Sequence, residues 1–375
     1  MSGLIRILAV DDSLVVRSLL SRLIEAEPDL RLASTASDGR RGVEKVVSVK
    51  PDVVVLDVEM PVMSGVEALV EIRKIDPDLP VVMFSNLTRT GAATTLEALA
   101  LGAKDYAPKP QGSGDAAESF DQIRRELFPK IRQVHQIREM KRQRRAEWSG
   151  ACDAPKRARR VTDSSPATAG RSSSARTTSV DAVVLGASTG GPVALESVLQ
   201  SITTPLPVPM IVVQHMPAVF TKALADRLDT KVASKVVEAE HGQPMEAGTC
   251  YIAPGGLHLS LERHPTRGVC AVTSEDPAIN GCRPSVEPLF ASAASVYGNR
   301  LAAVMLTGVG KDGSEGAATI AANGSSVIVQ DEETSVVWGM PGVIADNGHA
   351  SAVLPVDEIG AAISNLKFSG RVGVA

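Results

Sequence analysis

Residues 52–65 read DVVVLDVEMPVMSG, and this stretch decides the fold. Asp52–Leu56 is a continuous apolar run rather than an alternating one, the pattern of a strand covered on both faces. It stops on an acid, Asp57, and a helix-like amphipathic segment follows over Gly65–Ile75. Moving outward, similar apolar runs occur at Arg6–Val10, Arg31–Ala33, Pro80–Phe84 and Asp105–Ala107, with a second helix-like segment at Leu14–Glu25. This βα alternation predicts a parallel sheet with helices on both faces. About 110 residues suffice for one such domain.

The alternation resumes after residue 180. DAVVLG, PMIVVQ, RLAAVMLTG and SSVIVQ read as buried strands separated by helical segments, and no tandem repeat is found. The expected fold class is α/β: two doubly wound parallel-sheet domains, with a flavodoxin-like unit at 1–125 and a second α/β unit at 180–375. Between them, residues 126–179 read as a linker, entered by a final helix that runs from near Ser119 into the basic segment. Lys130 to Arg176 holds thirteen Lys/Arg against four Asp/Glu, diluted by stretches such as SSPATAGRSSSARTTS. That composition suits a solvated tether. A basic run also fits nucleic acid or an anionic membrane, but aromatics are not interleaved with it.

At 375 residues the chain can bury two separate cores. Hydrophobic content is 44% and aromatic content only 3%, so the cores are packed with Val, Leu, Ile and Ala. No apolar run reaches the roughly 20 residues that span a bilayer, so direct membrane insertion is not expected. Cys152, Cys250, Cys270 and Cys282 lie far apart, with no CxxC pair. Neither a zinc site nor a disulfide framework is expected, which suits a reduced, cytoplasmic protein.

Ligands of a parallel sheet bind outside the carboxyl ends of its strands. In the first domain Asp11 and Asp12 end the first strand, Asp57 the third, Ser85 the fourth and Lys109 the fifth. Three acids, a hydroxyl and a lysine on one edge suit phosphoryl chemistry. A carboxylate attacks phosphorus to give an acyl phosphate. A hard cation such as Mg²⁺ draws the repelling oxygens together. Lys109 and Ser85 then stabilise the phosphoryl oxygens. A lone strand-end aspartate is more simply a helix cap, and Asp12 or Ser13 suits that role; five such positions do not reduce to caps.

AVDDS, LDVEMPVMSG, SN and APKP resemble the landmarks of two-component receiver domains, across residues 4–110. The resemblance implies Asp57 as phosphoacceptor, Asp11 and Asp12 with Asp57 as Mg²⁺ ligands, and a backbone carbonyl at Glu59 completing the site. Ser85 and Lys109 are the implied supporting residues, and a chemotaxis histidine kinase the implied donor. Tyr106 stands where the family often has a switch aromatic. Lys109–Pro110 is a candidate cis bond.

In the second domain VVLGASTGGP sets Ser188 in a G-x-S-x-G frame directly after a strand. Gly186, Gly190 and Gly191 permit a tight turn, and the next helix N-terminus faces a developing oxyanion. Gly-rich turns also bind phosphates, although GASTGG lacks the spacing of either nucleotide fingerprint. His215 ends the next strand and Asp312 follows another, in LTGVGKDG. Ser188, His215 and Asp312 thus make a geometrically reasonable triad from three strand ends. His349, in DNGHA, is a rival base that would give the chain order of an α/β-hydrolase.

GASTGG, QHM at 214–216, APGG at 253–256, RPSVEPLF at 283–290, LTGVGKDG at 306–313 and VVWGMPG at 336–342 resemble the bacterial chemotaxis protein-glutamate methylesterase family. The resemblance implies Ser188 as nucleophile, His215 as base and Asp312 as its orienter. It implies hydrolysis of glutamyl methyl esters on methyl-accepting chemoreceptors, deamidation of receptor glutamines as a related acyl transfer, and no cofactor for the esterase step. Two positions depart from the family pattern: Val309 replaces Met, and Cys282 stands where His often precedes RPSV. Two other classes fit the sequence less well. A DNA-binding response regulator lacks a helix-turn-helix pattern or basic recognition helix here, so no nucleic-acid partner is expected. A docking pseudoenzyme does not suit the intact Ser188, His215 and Asp312.

Overall fold

The computed structural model describes residues 4–110, 116–150 and 179–369. The first sheet runs β1 (Ile5–Val10), β2 (Leu30–Ala36), β3 (Val53–Asp57), β4 (Val81–Ser85) and β5 (Asp105–Pro108), in spatial order β2-β1-β3-β4-β5. Every pair in it is parallel. Helices α1 (Leu14–Glu25), α2 (Gly39–Val49), α3 (Gly65–Ile75) and α4 (Arg89–Ala100) connect the strands. Local chemistry starts them where the sequence changes period. Ser13 caps α1 by accepting from the Val16 N–H. Ser64 and Glu67 form a reciprocal capping box at α3, just beyond the strand that carries Asp57.

The basic segment is not wholly a tether. After α5 (Ala116–Glu126), helix α6 spans Phe128–Gly150. Its Phe128, Ile131 and Val134 are buried in the same core as Ile7, Ala9 and Phe84 of the sheet. Arg132 reaches Asp29 and Glu27 at 2.7 Å, and Arg138 reaches Asp76 at 2.5 Å. The expectation of a linker from residue 126 therefore needs correction over 128–150. There the apolar stripe at i, i+3 and i+6 carries the docking, and the cations around it pair with acids of the first domain. The Ser/Arg-rich remainder, 151–178, lies outside the described residues.

The second sheet has seven strands: β6 (Ala182–Ala187), β7 (Met210–Gln214), β8 (Lys235–Glu238), β9 (Thr249–Ile252), β12 (Leu301–Met305), β13 (Ser326–Gln330) and β14 (Ala352–Leu354). Their order is β14-β13-β12-β6-β7-β9-β8, parallel throughout. Strands β10 (His258–His264) and β11 (Gly268–Ser274) form a separate antiparallel pair. Period-2 alternation divides β6 between two cores: Val183 and Leu185 face α7 (Gly191–Ser201), α8 (Ala218–Asp229) and α12 (Val356–Ser364). Ala182 and Val184 face α9 (Val286–Tyr297), α10 (Ser314–Ala322) and α11 (Met340–Asp346). Strand order runs outward on both sides of β6, so the switch point lies at the β6–β12 pair. No helix among the described residues is long and apolar enough to cross a membrane.

The two domains share apolar packing. Tyr106 of β5 stacks on Phe220 of α8 with ring centroids 4.4 Å apart, and Leu96 and Leu99 of α4 join the same cluster. The Lys109–Pro110 peptide is trans; among the described residues the cis bond is at Arg283–Pro284.

Candidate active site

Ser188 leaves the carboxyl end of β6 into the turn before α7. Its N–H donates to Thr307 O at 3.0 Å, and its carbonyl accepts from the Gly191 N–H at 2.8 Å and from Gln214 Nε2 at 2.9 Å. The turn needs glycine twice. Gly190 has φ +78°, and a Cβ on Gly191 would fall 1.9 Å from Gln214 Oε1. Ser188 is half-buried at the mouth of a cleft, and its Oγ makes no hydrogen bond among the described residues.

His215 follows β7, its N–H donating to Ala187 O at 3.1 Å, which anchors it beside Ser188 on the sheet edge. Its Nε2 lies 2.7 Å from Asp312 Oδ2. Asp312, in the loop after β12, is 2% exposed. Its Oδ2 also accepts the Val286 N–H at 2.7 Å, while Oδ1 accepts Ser285 Oγ at 2.6 Å and Asn280 Nδ2 at 3.3 Å. Burial pushes the Asp312 carboxyl up, but the bonds from His215, Ser285 and Val286 outweigh it and hold the group below the ordinary carboxylate value. Burial likewise pushes His215 down, yet the hydrogen bond to the Asp312 carboxylate opposes it and the ring is carried up to about 9. An anchored carboxylate thus favours the charged ring that a general base becomes.

The other imidazole nitrogen, Nδ1, faces Cys282 Sγ at 3.4 Å. His349, the rival base, precedes β14 and therefore lies at the amino end of the strands, opposite the cleft; its N–H caps α11 at Ile344 O. Sequence reading missed the residues that brace the set: Ser285, Asn280, Gln214 and Thr307. Thr307 Oγ1 donates to Thr189 O at 3.0 Å, fixing the turn from behind. Only for Ser285 was there a local signal, as the cap of α9 in RPSVEP.

At the first domain's sheet edge, Asp11, Asp12 and Asp57 each offer a carboxylate oxygen within 4.8 Å of the others. Lys109 Nζ sits 2.8 Å from Asp11 and 2.7 Å from Asp57. Burial, with the Asp11 charge, raises Asp57 to about 6 against the pull of Lys109. Three oxygens gathered this closely fit a hard divalent cation such as Mg²⁺. Ser85 Oγ is turned toward the Gly91 carbonyl at 3.3 Å and not toward Asp57.

The second domain's cleft is walled on one side by the first. Asp105, Tyr106, Arg125 and Lys130 face Ser188, His215, Cys282 and Arg283 across it. Thr189 Oγ1, next to Ser188, donates a buried bond to Asp105 Oδ2 at 2.8 Å.

Both domains have known relatives. The model of the response regulator receiver domain matches residues 7–120, and that of the CheB methylesterase matches 183–363. A protein-glutamate methylesterase/protein-glutamine glutaminase of Nocardioides sp. is 43% identical over 95% of this chain and 93% of its own. One from Caulobacter vibrioides is 41% identical over 96% of this chain and 98% of its own. The crystal structure of the Thermotoga maritima CheB methylesterase catalytic domain is 42% identical, covers 49% of this chain and 97% of its own, and gives a TM-score of 0.48. The chain belongs to the family of receiver-bearing protein-glutamate methylesterase/protein-glutamine glutaminases, and is a hydrolase of that kind.

Proposed function

We propose that Ser188, His215 and Asp312 hydrolyse glutamyl methyl esters on the cytoplasmic helices of chemoreceptors, under control of phosphorylation at Asp57. The observation that carries this reading is the 2.7 Å contact between His215 and the fourfold-held Asp312, on one sheet edge with Ser188. Ser188 Oγ attacks the ester carbonyl as His215 takes its proton at Nδ1. The proton passes to the leaving methanol, and water then cleaves the acyl-enzyme to free glutamate. The α7 N-terminus and the backbone at Val309 line the position of the oxyanion. Receptor glutamine enters the same sequence with ammonia as leaving group.

Control follows from the shared cleft. In the unphosphorylated chain the first domain stands over Ser188, held by the Tyr106–Phe220 stack and the Thr189–Asp105 bond. Asp57 Oδ attacks the donor's phosphorus, the bond from phosphorus to the donor breaks with its electron pair going to the donor, and Lys109 neutralises the phosphoryl oxygens. Asp11, Asp12 and Asp57 would hold Mg²⁺, which when bound would supply charge screening between the nucleophile and the phosphate. The acyl phosphate shifts the population to a form with the cleft open. The phosphoryl donor is a chemotaxis histidine kinase, and the protein works in the cytoplasm. The test is methanol release from methylated receptor membranes by the full chain, with and without a small phosphodonor and Mg²⁺. Release that is absent in both arms overturns the esterase reading; equal release in both arms overturns the control.

A further inference from the structure

The reactive nitrogen of His215 has a second claimant. Asp312 takes Nε2, so a serine proton has to arrive at Nδ1, and Nδ1 faces Cys282 Sγ at 3.4 Å. Ser188 Oγ, on the same cleft wall, has no hydrogen bond among the described residues. The thiol is not a loose group that happens to lie nearby. Cys282 exchanges backbone bonds with Ile279 at 2.9 and 3.1 Å, closing a tight loop that also presents Asn280 to Asp312. The sulfur is therefore fixed in the same frame as the carboxylate that fixes the ring.

A neutral imidazole that donates Nε2–H to a carboxylate offers one in-plane lone pair, which accepts one good hydrogen bond. The Cys282 S–H and the Ser188 O–H compete for it. We propose that Cys282 is a positioning residue of the esterase: its thiol occupies Nδ1 of His215 in the closed molecule and yields it to Ser188 in the reactive one. The inference rests on the triad reading above. A thiol suits the task because S–H is a weak donor. It keeps the ring in the tautomer catalysis needs, yet a serine hydroxyl displaces it. A strong donor at residue 282 would hold the base away from Ser188.

This competition predicts an order of activities that a packing role does not. Cys282→Ala removes the competitor, while Cys282→Ser replaces it with a stronger donor of nearly the same shape. Turnover of methylated receptors by the full chain, with phosphodonor present, is expected to rank Ala above Cys above Ser. Each step is about two- to tenfold, the effect of one neutral hydrogen bond on a rate. If Cys282 merely filled space, serine would rescue and alanine would be worst.

Iodoacetamide supplies a second readout. The thiol proton passes to Nδ1, the S–C bond forms as the C–I bond breaks, and iodide leaves. The adduct then stands where Ser188 must approach the ring. Cys250 and Cys270 are buried, unlike Cys282. The parent protein should lose turnover with the adduct mapped to Cys282, and Cys282→Ala should keep it under the same treatment. An order of Ser at or above Cys, with Ala lowest, overturns the proposal, as does equal inactivation of Cys282→Ala. Should the alanine variant not fold, the serine variant and alkylation of the parent decide the matter: serine at or above the parent, or a mapped adduct that leaves turnover intact, overturns it. A Ser188→Ala control separates the two levels: turnover surviving in it sinks the triad reading itself, and this inference with it.

Discussion

Asp312 gains its influence from what surrounds it rather than from its own identity. Four donors hold its two oxygens, so the carboxylate stays charged although it is 2% exposed. Replacing it with Asn keeps the shape but offers His215 an amide, which no longer enforces Nε2–H and does not stabilise the imidazolium. Turnover of Asp312→Asn is expected to fall about 10⁴-fold with the fold intact; a loss under about tenfold in a well-folded variant would sink the orienter role. The raised pKa of His215 carries a pH prediction. A base works when neutral, so a raised pKa delays its neutral form to higher pH. The acidic limb of the kcat/KM profile should have its midpoint above the ordinary histidine value of about 6.5, toward the value of about 9 that its contacts favour. A profile already flat from about pH 6 upward contradicts this.

At the scale of elements, the strand–turn–helix joints carry the chemistry and have little slack. A Cβ on Gly191 would collide with Gln214 Oε1 at 1.9 Å, at the side chain that also holds the Ser188 carbonyl. Gly191→Ala should displace Gln214 and lower turnover at least about tenfold, while the proposed phosphorylation at Asp57, in the other domain, is expected to continue; normal turnover shows the turn to be less constrained than the geometry states. Helix α6 makes a different point. Ile131 is fully buried against the first sheet, so Ile131→Ala should destabilise the receiver by about 2–4 kcal/mol. A thermal or urea transition of that domain unchanged within error would mean α6 does not dock. The ion pairs of Arg132 and Arg138 set the register of the helix more than they stabilise it, since pairs near the surface contribute little.

For the whole molecule the decisive feature is the domain interface over the cleft. Tyr106 is 5% exposed and stacks on Phe220 while its neighbour Asp105 accepts from Thr189. Tyr106→Ala removes the stack without touching the residues of either site. Unphosphorylated turnover is expected to rise several-fold, and the stimulation by phosphodonor to shrink accordingly. A variant with unchanged basal turnover and full stimulation would show that the stack does not hold the closed form.

The first sheet, four of the seven strands of the second (β6, β7, β12 and β13), the acidic edge of the first and the strand-end positions of the proposed triad were legible in the sequence, because their signals are short in range; β8, β9, β14 and the β10–β11 pair were not read. Continuous apolar runs mark buried parallel strands, and the topology of such sheets sends whatever follows each run to one edge. Asp57, Ser188 and His215 are therefore placed by their immediate neighbours, and Asp312 by the strand and glycines before it. A helix running from near Ser119 into the basic segment was legible, but the docking of α6 on the first sheet was not, because composition outweighed period: its apolar stripe is sparse among Lys and Arg. The bracing of Asp312 by Asn280 and Ser285, the thiol of Cys282 at Nδ1 and the Asp105–Thr189 bond belong to the tertiary structure alone. Each joins residues 27 to 84 positions apart. No local pattern records such a pairing, since only the packing of one element against another brings the two side chains together.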